Sequence, residues 1–298
     1  MLIALFSEIF SVIAPVFIIA GLGFWWVKAG YVFDTPQLTP LIVNVATPCL
    51  IISTLTEVEI PSSVLSETAL AAALVILLCA LVAAIAMKLA GLEIRTYAPP
   101  LVFGNVGNIG LPLALFAFGD EGLAYAIAVF TVYALFQFTV GQMVLSGKMS
   151  WREFIRMPIL YGVAIALAFM LTDTKPPEWA SNTLALFGTC VVPLMIFMLG
   201  VSLARLKITS LSRSVALGAF RLVLGMGVGL AVAELLDLEG VARGVLIIEA
   251  AMPVAVFNYL FAERYNRNAE EVAGMIVAST AMGFAMLPVI LYIAGVRG

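Results

Sequence analysis

The chain has 298 residues, 63% of them hydrophobic and 11% charged, with a formal net charge of −3 and a mean hydropathy of +1.13. So few charges cannot cover the surface of a soluble protein of this length. There is no histidine, and Cys49, Cys79 and Cys190 form no close pair, so no zinc, haem or other cofactor is expected.

Apolar runs recur from end to end. One bilayer crossing takes about 20 residues, and ten crossings fit, at 5–27, 37–56, 66–90, 96–118, 121–145, 154–171, 181–203, 213–236, 241–262 and 271–294. The first run is not a signal sequence. It lacks a basic start, is long for such a segment, and carries Pro15 and the pair Trp25-Trp26, which reads as an interfacial anchor. Trp151 and Trp179 read the same way. The second run is the least apolar and holds Asn44, Thr47 and Pro48. Gln137 and Gln142 lie in the fifth, with Gln137 deep enough to face a cavity. Arg221 lies in the eighth. Two readings of it are open: a side chain that snorkels to the surface, or a charge that draws an anionic solute inward.

Basic residues fall unevenly on the short loops. Lys175, Arg243 and Arg297 lie on one side. Lys28, Lys88, Arg95, Lys148, Arg152, Arg156, Arg205, Lys207, Arg213, Arg264 and Arg267 lie on the other. The richer side is cytoplasmic by the positive-inside rule, which places both termini outside the cytoplasm.

Local patterns repeat across the two halves. Ser7-Glu-Ile-Phe10 before Pro15 resembles Arg152-Glu-Phe-Ile155 before Pro158. Pro48 matches Pro193, and Glu121 matches Glu271. These matches divide the chain into 1–147 and 148–298. Each half holds five spans, and an odd number inverts one half relative to the other, a transporter architecture.

The fourth span contains Phe103-Gly-Asn-Val-Gly-Asn-Ile-Gly-Leu-Pro112. Glycine lets the backbone leave the helical basin, and proline inside a helix removes a hydrogen bond. Asparagine amides can serve freed backbone groups or a solute. A helix opened within a bilayer is tolerated only inside protein or beside a polar cavity. The segment reads as a discontinuous helix at a solute site, with Asn105, Asn108, Gly110 and Pro112 as candidates. A glycine-rich helix contact is the other reading. In the ninth span, Glu249 precedes Pro253, and Asn258 follows. A carboxylate at that depth must face protein, water or a counter-ion. Glu249, with Asn258 as a weaker candidate, reads as an H+ or Na+ coupling group or as a buried structural partner. Asn44, Thr47 and Gln137 complete the candidate lining, with Pro253 at the second break.

The segment from Gly104 to Pro112, the stretch Asn44 to Cys49 and the stretch Glu249 to Tyr259 resemble the auxin efflux carrier family in its short prokaryotic form, whose members are described as permeases for malate, malonate and related organic acids. That resemblance covers the whole chain. It implies ten spans in two inverted repeats, with helices four and nine broken at prolines, near Pro112 and Pro253, and crossing at mid-membrane. It implies an asparagine that helps hold a carboxylate, a scaffold of spans 1, 2, 6 and 7, and a mobile part of spans 3–5 and 8–10. A homodimer in the prokaryotic inner membrane and an elevator-like shift are further implications. The second repeat departs from symmetry, having Glu249, Ala250 and Ala251 where an Asn/Gly run would match. The expected partners are a small organic anion and the lipid bilayer, not nucleic acid. A sodium-coupled organic-anion symporter is the nearest variant, an ion channel a more distant one. Without a histidine or a convergent catalytic set, no enzyme activity is expected.

Overall fold

Fourteen α-helices follow one another in a computed structural model that describes residues 2–57, 61–146, 155–206 and 211–296. Lys148, Trp151, Arg152, Lys207 and Arg297, and with them the repeat match at 152–154, lie outside the described residues.

Helix α1 is Leu2–Lys28, α2 Thr35–Leu41, α3 Thr47–Glu57, α4 Ser62–Leu89, α5 Ile94–Val102, α6 Leu111–Phe136 and α7 Gln142–Ser146. Then come α8 Pro158–Leu171, α9 Glu178–Thr189, α10 Val191–Arg205, α11 Leu211–Leu235, α12 Gly240–Ala250, α13 Phe257–Arg264 and α14 Ala269–Ile293. Three five-residue π turns, Ile42–Ala46, Val106–Gly110 and Gln137–Gly141, join α2 to α3, lead into α6, and join α6 to α7.

Among the described residues, seven stretches of helix are long and apolar enough to cross a bilayer. One of them, Val106–Ser146, has 41 residues, about 60 Å at 1.5 Å per residue and twice a bilayer's hydrocarbon thickness. It folds back at Gly119, where φ is 66° and ψ −154°, a region open to glycine and strained for other residues. A Cβ on Gly122 would stand 2.5 Å from the Ala114 carbonyl oxygen, although eight residues of straight helix span about 12 Å. The reversal falls where the sequence divides spans four and five. The chain is an all-α polytopic membrane protein.

With no water to squeeze out, helices in lipid associate by close packing of small residues. Helix α1 packs on α10, and α3 packs on α8 and α9. A Cβ on Gly200 would overlap the Ala20 carbonyl oxygen, and one on Gly23 would overlap that of Phe197. A second set packs α4 on α5, α6 and α11, and α11 on α12 and α14. Helix α12 rests on α6. Gly200→Leu is expected to pry α1 from α10 and destabilise the protein by about 1–3 kcal/mol or more. A melt in detergent checks this; an unchanged midpoint would remove the close approach from the account.

The aromatic side chains read as anchors are exposed or in contact near the end of the first span. Trp26 stacks on Tyr31 at 4.8 Å between centroids and donates Nε1–H to the Val32 carbonyl at 3.3 Å. Trp25 and Trp179 are exposed.

Candidate functional site

Two helices break face to face. Helix α5 ends at Val102 and α12 at Ala250, and the chain runs extended near Phe103 to Asn105 and loses its helix at 251–256. The breaks form an antiparallel bridge between Gly104 and Val254. Asn105 donates its backbone N–H to the Pro253 carbonyl at 2.7 Å, and Ala255 donates to the Phe103 carbonyl at 3.1 Å. Backbone groups freed from helices must find partners away from water, and here each break serves the other. Side chains add to this. Val254 N–H donates to Ser279 Oγ at 3.1 Å, and Asn258 Nδ2 donates to the Phe103 carbonyl at 3.0 Å. Gln137 Nε2 in turn donates to Asn258 Oδ1 at 3.4 Å.

The first break lies earlier than Pro112, where the resemblance places it. Pro112 is the second residue of α6, but the helix already runs through the π turn from Val106, and Leu111 N–H donates back to the Val106 carbonyl; Pro112 therefore sits where the wide turn passes into α-helix, not at a break. The opening occurs at Gly104 and Asn105. Asn105 caps the π turn that leads into α6: its Oδ1 accepts from Asn108 N–H at 3.3 Å, while its carbonyl accepts from both Ile109 and Gly110 at 3.2 Å. Pro253 does sit in the second break and contributes its carbonyl.

A cavity of about 100 Å³ lies against this crossing. Its polar wall is Thr47, Gly104, Asn105, Gly107, Asn108 and Gln137. Phe130, Phe138, Met157, Met195 and Phe257 supply the apolar wall. Asn105 Nδ2 and Thr47 Oγ1 are buried there without a hydrogen-bond partner among the described residues. A buried donor left unpaired costs about 1–3 kcal/mol, and a solute acceptor would remove that cost. The first amides of the π turn, which have no acceptor within the helix, and the positive end of α6 favour a negative group at the same place.

Two larger cavities flank the crossing, one at each end of the stretch Gln37–Glu57. The first, about 560 Å³, shares Val43, Asn108, Met195 and Phe257 with the central cavity and is lined by Thr35, Thr39, Ser202 and Arg205. Arg205 is held by the Phe33 carbonyl at 2.7 Å and Thr35 Oγ1 at 3.1 Å. The second, about 340 Å³, is lined by Ser53, Thr54, Glu57, Asp120 and Thr189 and shares no lining residue with the centre. The central cavity therefore adjoins the one that carries Arg205.

Of the sequence candidates, Thr47, Asn105, Asn108 and Gln137 meet on one wall. Asn258 stands behind it, both amide ends engaged. Gly110 faces Glu249 rather than the cavity: a Cβ there would collide with the Glu249 carboxyl group. Glu249 is fully buried, and neither carboxyl oxygen has a hydrogen-bond partner among the described residues. Asn44 does not reach the site. Val43 and Thr47 face the cavity, and Asn44, about 100° further round the helix, is exposed on the outside.

Arg221 does not snorkel. It is fully buried and donates Nη1–H to the Leu101 carbonyl at 3.2 Å and Nη2–H to the Ala250 carbonyl at 3.1 Å. These carbonyls lie in the last turns of α5 and α12, so one guanidinium caps both broken ends. Cys79 and Tyr133 lie beside it. The apolar lining residues carry no signal in the sequence that sets them apart from core.

A model of a family described as membrane transport protein matches residues 8–146 and 141–293. The chain belongs to this family, whose relatives include the auxin efflux carriers. An uncharacterized transporter of Methanocaldococcus jannaschii is 25% identical over 277 residues, covering 86% of this chain and 87% of its own. An uncharacterized transporter of Methanothermobacter thermautotrophicus is 25% identical over 274 residues, with the same shares. Auxin efflux carrier component 1 of Arabidopsis thaliana is 28% identical over 146 residues, 47% of this chain and 22% of the plant protein. This member of the membrane transport protein family is thus a polytopic transporter and not an enzyme.

Proposed function

We propose that the chain is a secondary transporter that moves a small organic carboxylate anion by alternating access through the crossing of the two broken helices. The observation that carries this reading is the unpartnered Asn105 amide on the wall of a buried cavity at a helix start. Amide donors and helix N-termini suit a carboxylate. Thr47, Asn108 and Gln137 complete the solute contacts.

Ten spans in two inverted repeats, 1–147 and 148–298, belong to the proposal. Helix packing supports them: α1 against α10 has its counterpart in α8 against α3, and α4 against α6 has its counterpart in α11 against α14. The two flanking cavities correspond in the same way. Spans 1, 2, 6 and 7 form the scaffold, and spans 3–5 and 8–10 move. Polar ties support that division. Arg205 holds the loop before α2, while Arg267 joins Glu93 at 2.7 Å and Arg213 joins Glu271 at 2.7 Å. In this reading the Arg205 cavity faces the cytoplasmic side of an inner membrane, in keeping with the basic loops. A homodimer is in keeping with the family resemblance. Coupling to H+ or Na+, if the solute is driven so, rests on Glu249.

Uptake of labelled mono- and dicarboxylates into proteoliposomes tests the reading, with proton, sodium and voltage gradients imposed in turn. Saturable carboxylate uptake is expected, and a strict sodium requirement would mark the symporter variant. Asn108→Ala is expected to weaken half-saturation about tenfold, the loss of one hydrogen bond to a charged group. Wild-type affinity and rate in both Asn105→Ala and Asn108→Ala would move the site elsewhere. Currents at channel-like turnover would replace the transporter with a channel.

A further inference from the structure

We propose that Arg221 sets the charge preference of the crossing site, acting on the solute through the bare α-carbon of Gly104; the inference rests on the carboxylate reading above. Gly104 lines the central cavity. A Cβ on Gly104 would overlap Arg221 Nη2. No side chain therefore separates the guanidinium from the main chain that forms the cavity wall. Among the described residues no carboxylate pairs with Arg221, whereas Arg213, Arg243 and Arg267 pair with Glu271, Glu234 and Glu93.

The arrangement has a physical logic. The carboxyl ends of α5 and α12 both point into the crossing, and each helix end carries about half a negative charge. Left alone, those two ends would cancel the positive starts of α6 and α13 beside the cavity. Arg221 donates to one carbonyl from each end, at Leu101 and Ala250, and offsets both. With Glu249 protonated, what remains towards the cavity is the positive field of the helix starts. In a water-poor interior such a field acts with little screening. Arg221 is a positioning and selecting residue, not a solute contact.

A purely structural clamp and a charge selector differ in one readout, the preference for a carboxylate over its neutral amide. Purified protein is titrated calorimetrically with malonate and malonamide, and with indole-3-acetate and indole-3-acetamide. The wild type is expected to prefer the acids. Arg221→Gln keeps an N–H donor and removes the charge; its acid-to-amide ratio is expected to fall roughly tenfold or more. Arg221→Lys, which keeps the charge, is expected to retain most of the preference. If Arg221→Gln does not purify, Gly104→Ala, whose methyl displaces Nη2, is expected to lower the same ratio. An unchanged ratio in Arg221→Gln, or in Gly104→Ala where that variant decides, overturns this proposal alone. Absence of acid binding by the wild type overturns it together with the carboxylate reading.

Discussion

Gly110→Ala is expected to abolish carboxylate uptake, although it adds a single methyl group. Gly110 closes the π turn that leads into α6, and its α-carbon lies against Glu249 in the last turn of α12. The added Cβ would overlap the carboxyl group, with Oε1 2.7 Å away. Glu249 is fully buried, so its side chain has no open space to swing into. The start of α6 must move away from α12 instead. Overpacking of this kind costs about 1–3 kcal/mol. The same shift displaces Asn105 and Asn108, and a displacement near 1 Å at a positioned site costs on the order of a hundredfold in rate. The contact predicts its own suppressor. Glu249→Ala in the Gly110→Ala chain removes the colliding atoms, so the double variant should melt near the wild type. It should also fold without ion-coupled uptake, if Glu249 is the coupling group. A Gly110→Ala protein with wild-type melting and uptake would show that the two half-helices do not meet in this way.

Asn105 has the next largest expected effect, and two substitutions separate its two tasks. Asparagine and aspartate both cap helix starts well. Asn105→Asp should therefore keep the bond from Asn108 N–H and the main-chain bond to Pro253. It replaces the free Nδ2 donor with an acceptor of the solute's own charge. Stability close to wild type with no measurable carboxylate uptake is the expected result. Asn105→Ala loses both the cap and the donor. It should cost about 1 kcal/mol of stability, and a lost hydrogen bond to a charged group, about 1.5–3 kcal/mol, corresponds to roughly ten- to a hundredfold weaker binding. Melting curves and uptake on the same preparations check both. Transport by Asn105→Asp at the wild-type rate would exclude a carboxylate held at Nδ2.

The sequence reveals these elements unevenly. The apolar runs reveal the membrane architecture, because twenty-residue crossings leave few other options. The cluster of Gly104, Asn105, Gly107, Asn108, Gly110 and Pro112 marks a broken helix, because such residues have little other reason to gather inside a span. It does not mark the exact residue where the helix opens. A proline invites the assignment of a break, yet Pro112 lies where the π turn passes into α6, and the helix opens earlier, at Gly104 and Asn105. Asn44 and Thr47 look equivalent until the face of the second stretch is known, which packing decides. Gln137 and Asn258 are 121 residues apart, beyond any local pattern. Arg221 is hidden for a different reason. Its partners are main-chain carbonyls, which every residue has, so nothing in their side chains announces the contact.

The crossing has a further consequence for descent. The bonds that join the two breaks, from Asn105 to the Pro253 carbonyl and from Ala255 to the Phe103 carbonyl, run between main-chain atoms. An N–H or a C=O is the same group in almost every residue, so this joint survives most changes of side chain. Thr47, Phe130, Phe138, Met157 and Met195 border the cavity from other segments. Mutation at those positions can reshape the cavity while the joint stays as it was. On the proposed reading, changes at those side chains would alter the cargo while the main-chain joint is inherited unchanged.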